Sequence, residues 1–308
     1  MEKKTIRGRF APSPSGRMHM GNAYSALLSW LSVKSKGGEW VLRIEDLDPG
    51  RSRKEYADQI EEDLLWLGLE WDEGGSRGGD HGPYYQSMRD DIYHEYLERL
   101  RQKGLTYPCY CTRADIMATQ APHETDGRIV YQGTCRGREE QPGVPHATRV
   151  IVPDETICYC DGHYGEQHVN LQEHCGDFVL QRRDGAWAYQ LAVVVDDALM
   201  GITEVVRGVD LLLSAAQQIY LYRELGFDEP AFCHLPLLCA EHEGVVQRLS
   251  KRDRSMNLGE IRQHMSAEEV VGFLACHAGI IDQPQKITAA ELLPLFSWDR
   301  VPCDPIIL

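Results

Sequence analysis

The 308-residue sequence predicts an α/β protein built on a parallel sheet, with an inserted subdomain and a short helical C-terminal region. Three observations predict it. The first 44 residues read as strand, helix and strand, a unit that sets its two strands in parallel. Further apolar strands recur at Ile202 to Val206 and Phe232 to Leu238. Between the two halves lies a polar, cysteine-bearing stretch that breaks the alternation. The expected boundaries are 1–105 and 177–245 for the halves of the sheet domain, 106–176 for the insertion, and 246–308 for a basic loop and the helical end.

The opening unit carries the most chemistry. Thr5 to Phe10 is a β-type run leading into a loop with Pro12, Pro14 and Gly16. That loop delivers His19-Met20-Gly21-Asn22 to the head of a helix with Met20, Ala23, Leu27 and Leu31 on its apolar face. A helix N-terminus after a strand and a Gly-bearing loop is an anion site, because its N–H groups and positive dipole end meet phosphate. Gly21 lets a nucleotide lie against bare backbone. Gly37-Gly38 ends the helix, and Trp40 to Ile44 is a buried strand. Glu45-Asp46-Leu47-Asp48 follows at its carboxyl end, where parallel sheets bind ligands.

Ser52 to Glu55 reads as a capping box opening a helix with Tyr56, Ile60 and Leu64 inward. Gly74 to Gly82 reads as a glycine-rich loop, given no nucleotide role because no phosphate-loop lysine follows. Ser87 to Gly104 is a helix with Ile92, Tyr96 and Leu100 inward. Cys109, Cys111 and Cys135, with Tyr131 beside them, are either a structural metal site or small buried residues; the spacing leaves both open. A rival set is Cys158 and Cys160 with His163, His168, His174 and Cys175. Alternation over Thr156 to Asp161 puts its two leading thiols on one strand face, packed as small hydrophobes, so it ranks second.

Phe178 to Leu180 and Ala188 to Val195 read as strands, the latter ended by Asp196-Asp197. Ile202 to Val206 delivers Arg207. Ser214 opens a helix closed by Gly226, with Ile219, Tyr222 and Leu225 inward. Arg248 to Arg252 is a basic loop, and the chain from Asn257 reads as mostly helical.

Composition bounds the function. Hydrophobic residues at 43% and charged residues at 26% are those of a globular protein, and no apolar run approaches the ~20 residues of a membrane span. The N-terminus lacks the apolar stretch of a signal peptide, so the ten cysteines are expected to be reduced thiols in the cytoplasm. A net charge of −15 argues against a generic nucleic-acid binder, leaving RNA contact to local patches such as Arg248, Lys251, Arg252 and Arg254, or Arg136 and Arg138.

His19-Met20-Gly21-Asn22 and Arg248-Leu249-Ser250-Lys251-Arg252 together resemble the two signatures of class I aminoacyl-tRNA synthetases, His-Ile-Gly-His and Lys-Met-Ser-Lys-Ser. Asn22 replaces the second histidine, and Arg248 keeps the charge of the first lysine on a longer, forked side chain. Arg-Phe-Ala-Pro-Ser-Pro-Ser-Gly at Arg9 to Gly16 is the unbroken signature of the glutamyl branch, and the chain is similar to its short, queuosine-specific group. The resemblance runs from about Ile6 to Arg252.

It implies a Rossmann-like catalytic domain with an inserted zinc-bearing subdomain, activation of L-glutamate by Mg²⁺·ATP without tRNA, and transfer to queuosine in the anticodon stem-loop of tRNA(Asp), by a monomer. It also implies His19 and Lys251 as catalytic residues on the phosphates, with Gly21 and Asn22 completing the ATP site. Arg9, Ala11, Ser13, Glu45, Tyr189 and Arg207 become the glutamate site, and Cys109, Cys111, Tyr131 and Cys135 the ligands of one structural Zn²⁺. Three alternatives stand beside this reading. A glutamyl-tRNA(Glu) synthetase is disfavoured because only residues 253–308 follow the second signature, too few for an anticodon-binding domain. A small-molecule nucleotidylyltransferase or adenylate-forming ligase is disfavoured by the Arg9 to Gly16 signature, and a non-catalytic paralogue by the intact His19, Glu45 and Lys251.

Overall fold

A parallel strand covered on both faces has no solvent side, and β1 (Arg7–Phe10) is buried at all four positions. The computed structural model describes residues 5–118, 130–242, 245–248 and 257–308. From β1 the chain crosses over through α1 (Met20–Lys34) to β2 (Glu39–Leu42), which pairs with β1 in parallel, Gly8 opposite Trp40. Ala23, Leu27 and Leu31 are buried, as their spacing requires.

Next, α2 (Lys54–Trp66) buries Ala57, Ile60 and Leu64. The capping box expected at Ser52 to Glu55 does not form, since the N-cap is Arg53 and makes no side-chain cap bond. The backbone explains it: Ser52 N–H donates to Asp48 O and Arg53 N–H to Pro14 O, so both donors have partners in the loops they join. The glycine-rich stretch opens as sheet edge, β3 (Glu73–Gly74), where a Cβ on Gly74 would lie 2.0 Å from Leu42 O. In α3 (Asp90–Gln102), Tyr93, Tyr96, Leu97 and Leu100 face inward; the helix starts after Ser87, whose N–H and Oγ are taken by Asp46 at 2.8 and 2.6 Å.

The central stretch holds β4 (Thr106–Cys109), α4 (Arg113–Ala118), β5 (Ala147–Val150), the hairpin of β6 (Thr156–Asp161) and β7 (Gly165–Asn170), α5 (Leu171–His174), and β8 (Val179–Gln181). Strands β4, β5 and β8 form a separate antiparallel sheet.

The sequence reading of Ala188 to Val195 as a strand is wrong. The segment is a helix, α6 (Tyr189–Leu199), and every residue from Leu191 to Asp197 is buried. A helix enclosed on all sides shows no 3.6-residue period, and its three valines mimic strand composition. Asp196 and Asp197 therefore sit inside a helix rather than at a strand end.

Then come β9 (Glu204–Gly208), α7 (Leu212–Leu225), capped by Gly226, and β10 (Ala231–Leu235). The five-stranded sheet has the order β10-β9-β1-β2-β3, with each pairing parallel. Trp40, Leu42, Val206 and Leu235 face one core with α1 and α2, while Val41, Val205 and Phe232 face a second with α3, α6 and α7.

Phe232 to Leu238 is not one strand: Pro236 separates β10 from β11 (Leu238–His242), which pairs with β12 (Val245–Arg248). The C-terminal region is less helical than expected. It holds α8 (Leu258–Ile261), α9 (Ala267–His277), α10 (Ala289–Leu292) and a strand, β13 (Ile306–Ile307), parallel to β11. Pro284, Pro294, Pro302 and Pro305 interrupt any longer helix there. Among the described residues no helix is long and apolar enough to cross a membrane.

Candidate active site

The carboxyl ends of β1, β2 and β9 open into a cavity of 460 Å³. Arg9, Ala11, Ser13, His19, Gly21, Asn22, Glu45, Tyr189 and Arg207 all line it, so one site gathers residues nearly 200 positions apart. Lys251 lies outside the described residues. The flanks of its loop are described: Arg248 ends β12, Asn257 bridges to the backbone of His19, and Leu258 N–H donates to Met18 O at 2.8 Å.

His19 is the N-cap of α1. Its Nδ1 accepts from Gly21 N–H at 3.1 Å, and Asn22 Oδ1 accepts from His19 N–H at 3.2 Å. Because Nδ1 is an acceptor, the neutral ring carries its proton on Nε2, as a donor suited to phosphate. A Cβ on Gly21 would sit 3.0 Å from His19 Cε1, so the glycine leaves room for this ring. Asn22 gives up a second imidazole but completes the cap.

At the other end, Glu45 N–H donates to Pro12 O at 2.9 Å, which fixes the acid beside the Ala11 to Ser13 loop. Asp46 and Asp48 of the same run serve loops instead, at Ser87 and Arg51. Arg43, fully buried, holds Glu45 at 3.2 Å, Asp197 at 2.6 Å and Asp196 at 3.6 Å. Asp197 also takes Arg9 Nε at 3.3 Å, while Arg9 Nη1 donates to Val206 O. Burial would raise the Asp197 carboxyl, but Arg43 and Arg9 outweigh it and hold it below the usual range. For Glu45 the balance reverses: burial raises its pKa despite the same two arginines. Arg207 differs from both other arginines, because its partners are uncharged: His234, Tyr189, Gln218 and Leu211 O. Its charge is left for a ligand carboxylate.

About the insertion, Cys109, Cys111 and Cys135 bring their three thiols within 4.8 Å of one another. Cys111 and Cys135 Sγ are 3.5 Å apart, and Tyr131 Oη lies 3.4 Å from Cys109 Sγ and 3.5 Å from Cys111 Sγ. Burial would raise the Cys135 thiol, yet hydrogen bonds from Tyr131 and backbone hold it at about 7. The Arg149 guanidinium sits 3.9 Å over the Tyr131 ring. This group can hold a metal ion, and it is the single such group among the described residues. Cys158 and Cys160 share a strand face as expected, but that face is exposed, so they do not pack as small hydrophobes. Cys158 Sγ meets His168 Nδ1 at 3.1 Å, while His163 and His174 bond to Pro302 O and Asn170 O elsewhere. Arg136 stays exposed but pairs with the buried Asp177 at 2.5 Å, which offsets its charge in the expected basic patch.

Residues 5–274 match the family of class I tRNA synthetases (E and Q), catalytic domain. The Glutamyl-Q tRNA(Asp) synthetase of Symbiobacterium thermophilum is 49% identical over 97% of this chain and 94% of that protein. Its namesake from Nitratidesulfovibrio vulgaris is 43% identical over 98% and 95%. The chain belongs to the glutamyl-Q tRNA(Asp) synthetase family, within the class I tRNA synthetases. A crystal structure of a glutamate tRNA ligase from Elizabethkingia meningosepticum, in complex with its amino acid, superposes with a TM-score of 0.83 at 30% identity, over 99% of this chain and 67% of that one.

In this synthetase the sequence reading missed the residues behind the pocket: Arg43, Asp196, Asp197, His234, Asp161 and Gln218. One signal was available. An arginine between Leu42 and Ile44 in a buried strand demands buried acids, and Asp196-Asp197 after a long apolar run could supply them. Nothing local marked His234 or Asp161, which meet only through the fold.

Proposed function

We propose that the chain activates L-glutamate with Mg²⁺·ATP, without tRNA, and transfers the glutamyl group to queuosine in the anticodon of tRNA(Asp). A glutamate α-carboxylate oxygen attacks the α-phosphorus of ATP, the bond to the β-phosphate breaks, and pyrophosphate leaves. The observation that carries the reading is the cavity itself, where cations for two carboxylates, an acid for an ammonium and a helix N-terminus for phosphate converge. Arg9 and Arg207 take the substrate carboxylates, Glu45 takes the ammonium, and Ala11, Ser13 and Tyr189 complete the glutamate pocket. His19 Nε2–H and Lys251 meet the phosphates as charge develops, with Gly21 and Asn22 shaping the nucleotide end. A hydroxyl of the queuosine cyclopentenediol then attacks the acyl carbon of the glutamyl-adenylate, the ester forms, and AMP leaves. The enzyme acts as a cytoplasmic monomer, and 106–176 is the subdomain that faces the RNA.

We further assign Cys109, Cys111, Tyr131 and Cys135 to one structural zinc. Tetrahedral zinc, with Zn–S of about 2.3 Å and Zn–O of about 2.0 Å, sets its ligands about 3.5–3.8 Å apart. The spacings of 3.4–3.5 Å around Tyr131 Oη and between Cys111 and Cys135 agree with that edge. A metal there would supply a crosslink where, among the described residues, the local buried core is Tyr107, Cys109, Tyr131 and Cys135, with Cys111, Ile116, Ala147 and Ile151 packed against it.

The test is ATP–pyrophosphate exchange without RNA. Glutamate supports exchange and glutamine does not, since an amide leaves a pocket arginine unpaired. Equal exchange with both, or none with glutamate, overturns the reading. The likeness to a glutamate tRNA ligase keeps tRNA(Glu) as the competing acceptor.

A further inference from the structure

We propose that His234 and Asp161 are positioning residues for the glutamate site: a neutral imidazole, locked by a buried carboxylate from the β6–β7 hairpin, aims Arg207 into the pocket. The proposal rests on reading Arg207 as a partner of a substrate carboxylate. Arg207 in β9 and His234 in β10 are paired in register across the parallel sheet. Arg207 Nε donates to His234 Nε2 at 3.0 Å. A guanidinium nitrogen only donates, so Nε2 accepts and the ring proton sits on Nδ1. That proton points at Asp161 Oδ2, 2.6 Å away. Both side chains are completely buried.

Asp161 is itself held from outside the sheet. Its Oδ1 accepts the backbone N–H groups of His163, Tyr164 and His234 at 3.0, 2.9 and 3.2 Å. The hairpin that carries it is pinned by Gly162 N–H on Phe232 O and by Tyr159 Oη on Leu212 O. At the far end, Arg207 Nη1 reaches Gln218 at 2.7 Å and Tyr189 Oη at 3.5 Å, and Nη2 reaches Leu211 O at 3.3 Å. Each bond is made to a neutral acceptor, which orients the fork without spending its charge. A carboxylate in place of the imidazole would pair with the guanidinium and compete with substrate.

The direction of the Nε–Nε2 bond separates this role from that of an ordinary buried histidine. Protonating Nε2 would set donor against donor and a second cation beside Arg207. The charged groups facing His234 are Asp161 from β6, Arg207 from β9 and Arg9 from β1. Burial and the two arginines lower its pKa below 6.5, against Asp161, so the ring stays neutral at working pH.

The experiment is glutamate-dependent ATP–pyrophosphate exchange on the whole chain, reading KM for glutamate, KM for ATP and kcat against pH. His234→Leu is expected to raise the glutamate KM about tenfold or more and leave the ATP KM unchanged. His234→Gln, whose carbonyl oxygen lies near the Nε2 position, recovers most of that loss. As pH falls beneath 6.5 and through the lowered pKa of His234, the parent shows a rise in glutamate KM that exceeds the rise in His234→Gln. Glu45 contributes equally to both profiles, so their difference belongs to His234. This comparison needs no Leu variant, and it decides the matter if His234→Leu fails to fold. Superimposable pH profiles, or a Leu variant that raises both KM values alike, overturn the proposal. Arg207→Lys separates the two readings: an unchanged glutamate KM there removes the role of Arg207, whereas a raised one with His234→Leu silent removes only the relay.

Discussion

Asp197→Asn removes the carboxylate that Arg9 and Arg43 share, while keeping its shape. Asp197 is 3% exposed, Arg9 4% and Arg43 0%, so water cannot replace the lost charge. Arg43 would be left with Glu45 and with Asp196, which is already committed to Arg89 at 2.6 Å. Breaking one partner of a buried ion pair costs about 3–5 kcal/mol, and an amide that keeps one acceptor oxygen belongs at the lower end, about 3. A fold of about 5–15 kcal/mol tolerates that loss. The expected outcome is therefore a folded but weakened protein, read as a lower urea midpoint with unchanged slope. The glutamate KM should rise too, because Arg9 loses its anchor and Glu45 is drawn toward Arg43. The control is Asp58→Asn, which removes a pair of comparable length, Lys54–Asp58 at 2.8 Å, where both side chains are more than half exposed. That variant should be indistinguishable from the parent. If Asp197→Asn costs less than about 1 kcal/mol and leaves the glutamate KM unchanged, the account of the buried charge network is refuted.

His19→Ala and Lys251→Ala should each reduce pyrophosphate exchange on the order of 10²-fold, read as kcat at saturating substrates. Elemental analysis should find about one zinc per chain, lost in Cys109→Ser and Cys135→Ser and kept in Cys158→Ser and Cys160→Ser. The pH dependence follows from Glu45, whose pKa lies above 4.5 through burial. Only its ionised form pairs with the substrate ammonium, so the glutamate KM should climb as pH falls toward and through that raised value. Glu45→Gln should raise the KM throughout and abolish its share of the climb.

The residues that line the cavity were legible in the sequence because each sits at a strand end or helix head with a motif around it. Arg9, Glu45 and Arg207 each mark the end of a β run, and His19 to Asn22 sits where a helix must begin. What supports them was legible only at Arg43, whose place in a buried strand calls for acids. Asp197 was misplaced because α6, buried all round, offered a strand-like run of valines with no polar face. His234 looked like one more residue in an apolar strand, and its partner Asp161 lies 73 positions away. The exposure of Cys158 and Cys160 was hidden for a related reason, since strand alternation assigns residues to a face but not the face to solvent.

The most direct measurement uses labelled glutamate, ATP and tRNA(Asp) from cells that make queuosine and from cells that cannot. Label should enter only the queuosine-bearing tRNA, map to the anticodon loop, and also enter an isolated queuosine-bearing anticodon stem-loop. Equal labelling of both tRNA pools, or label at the 3′ end, would contradict it.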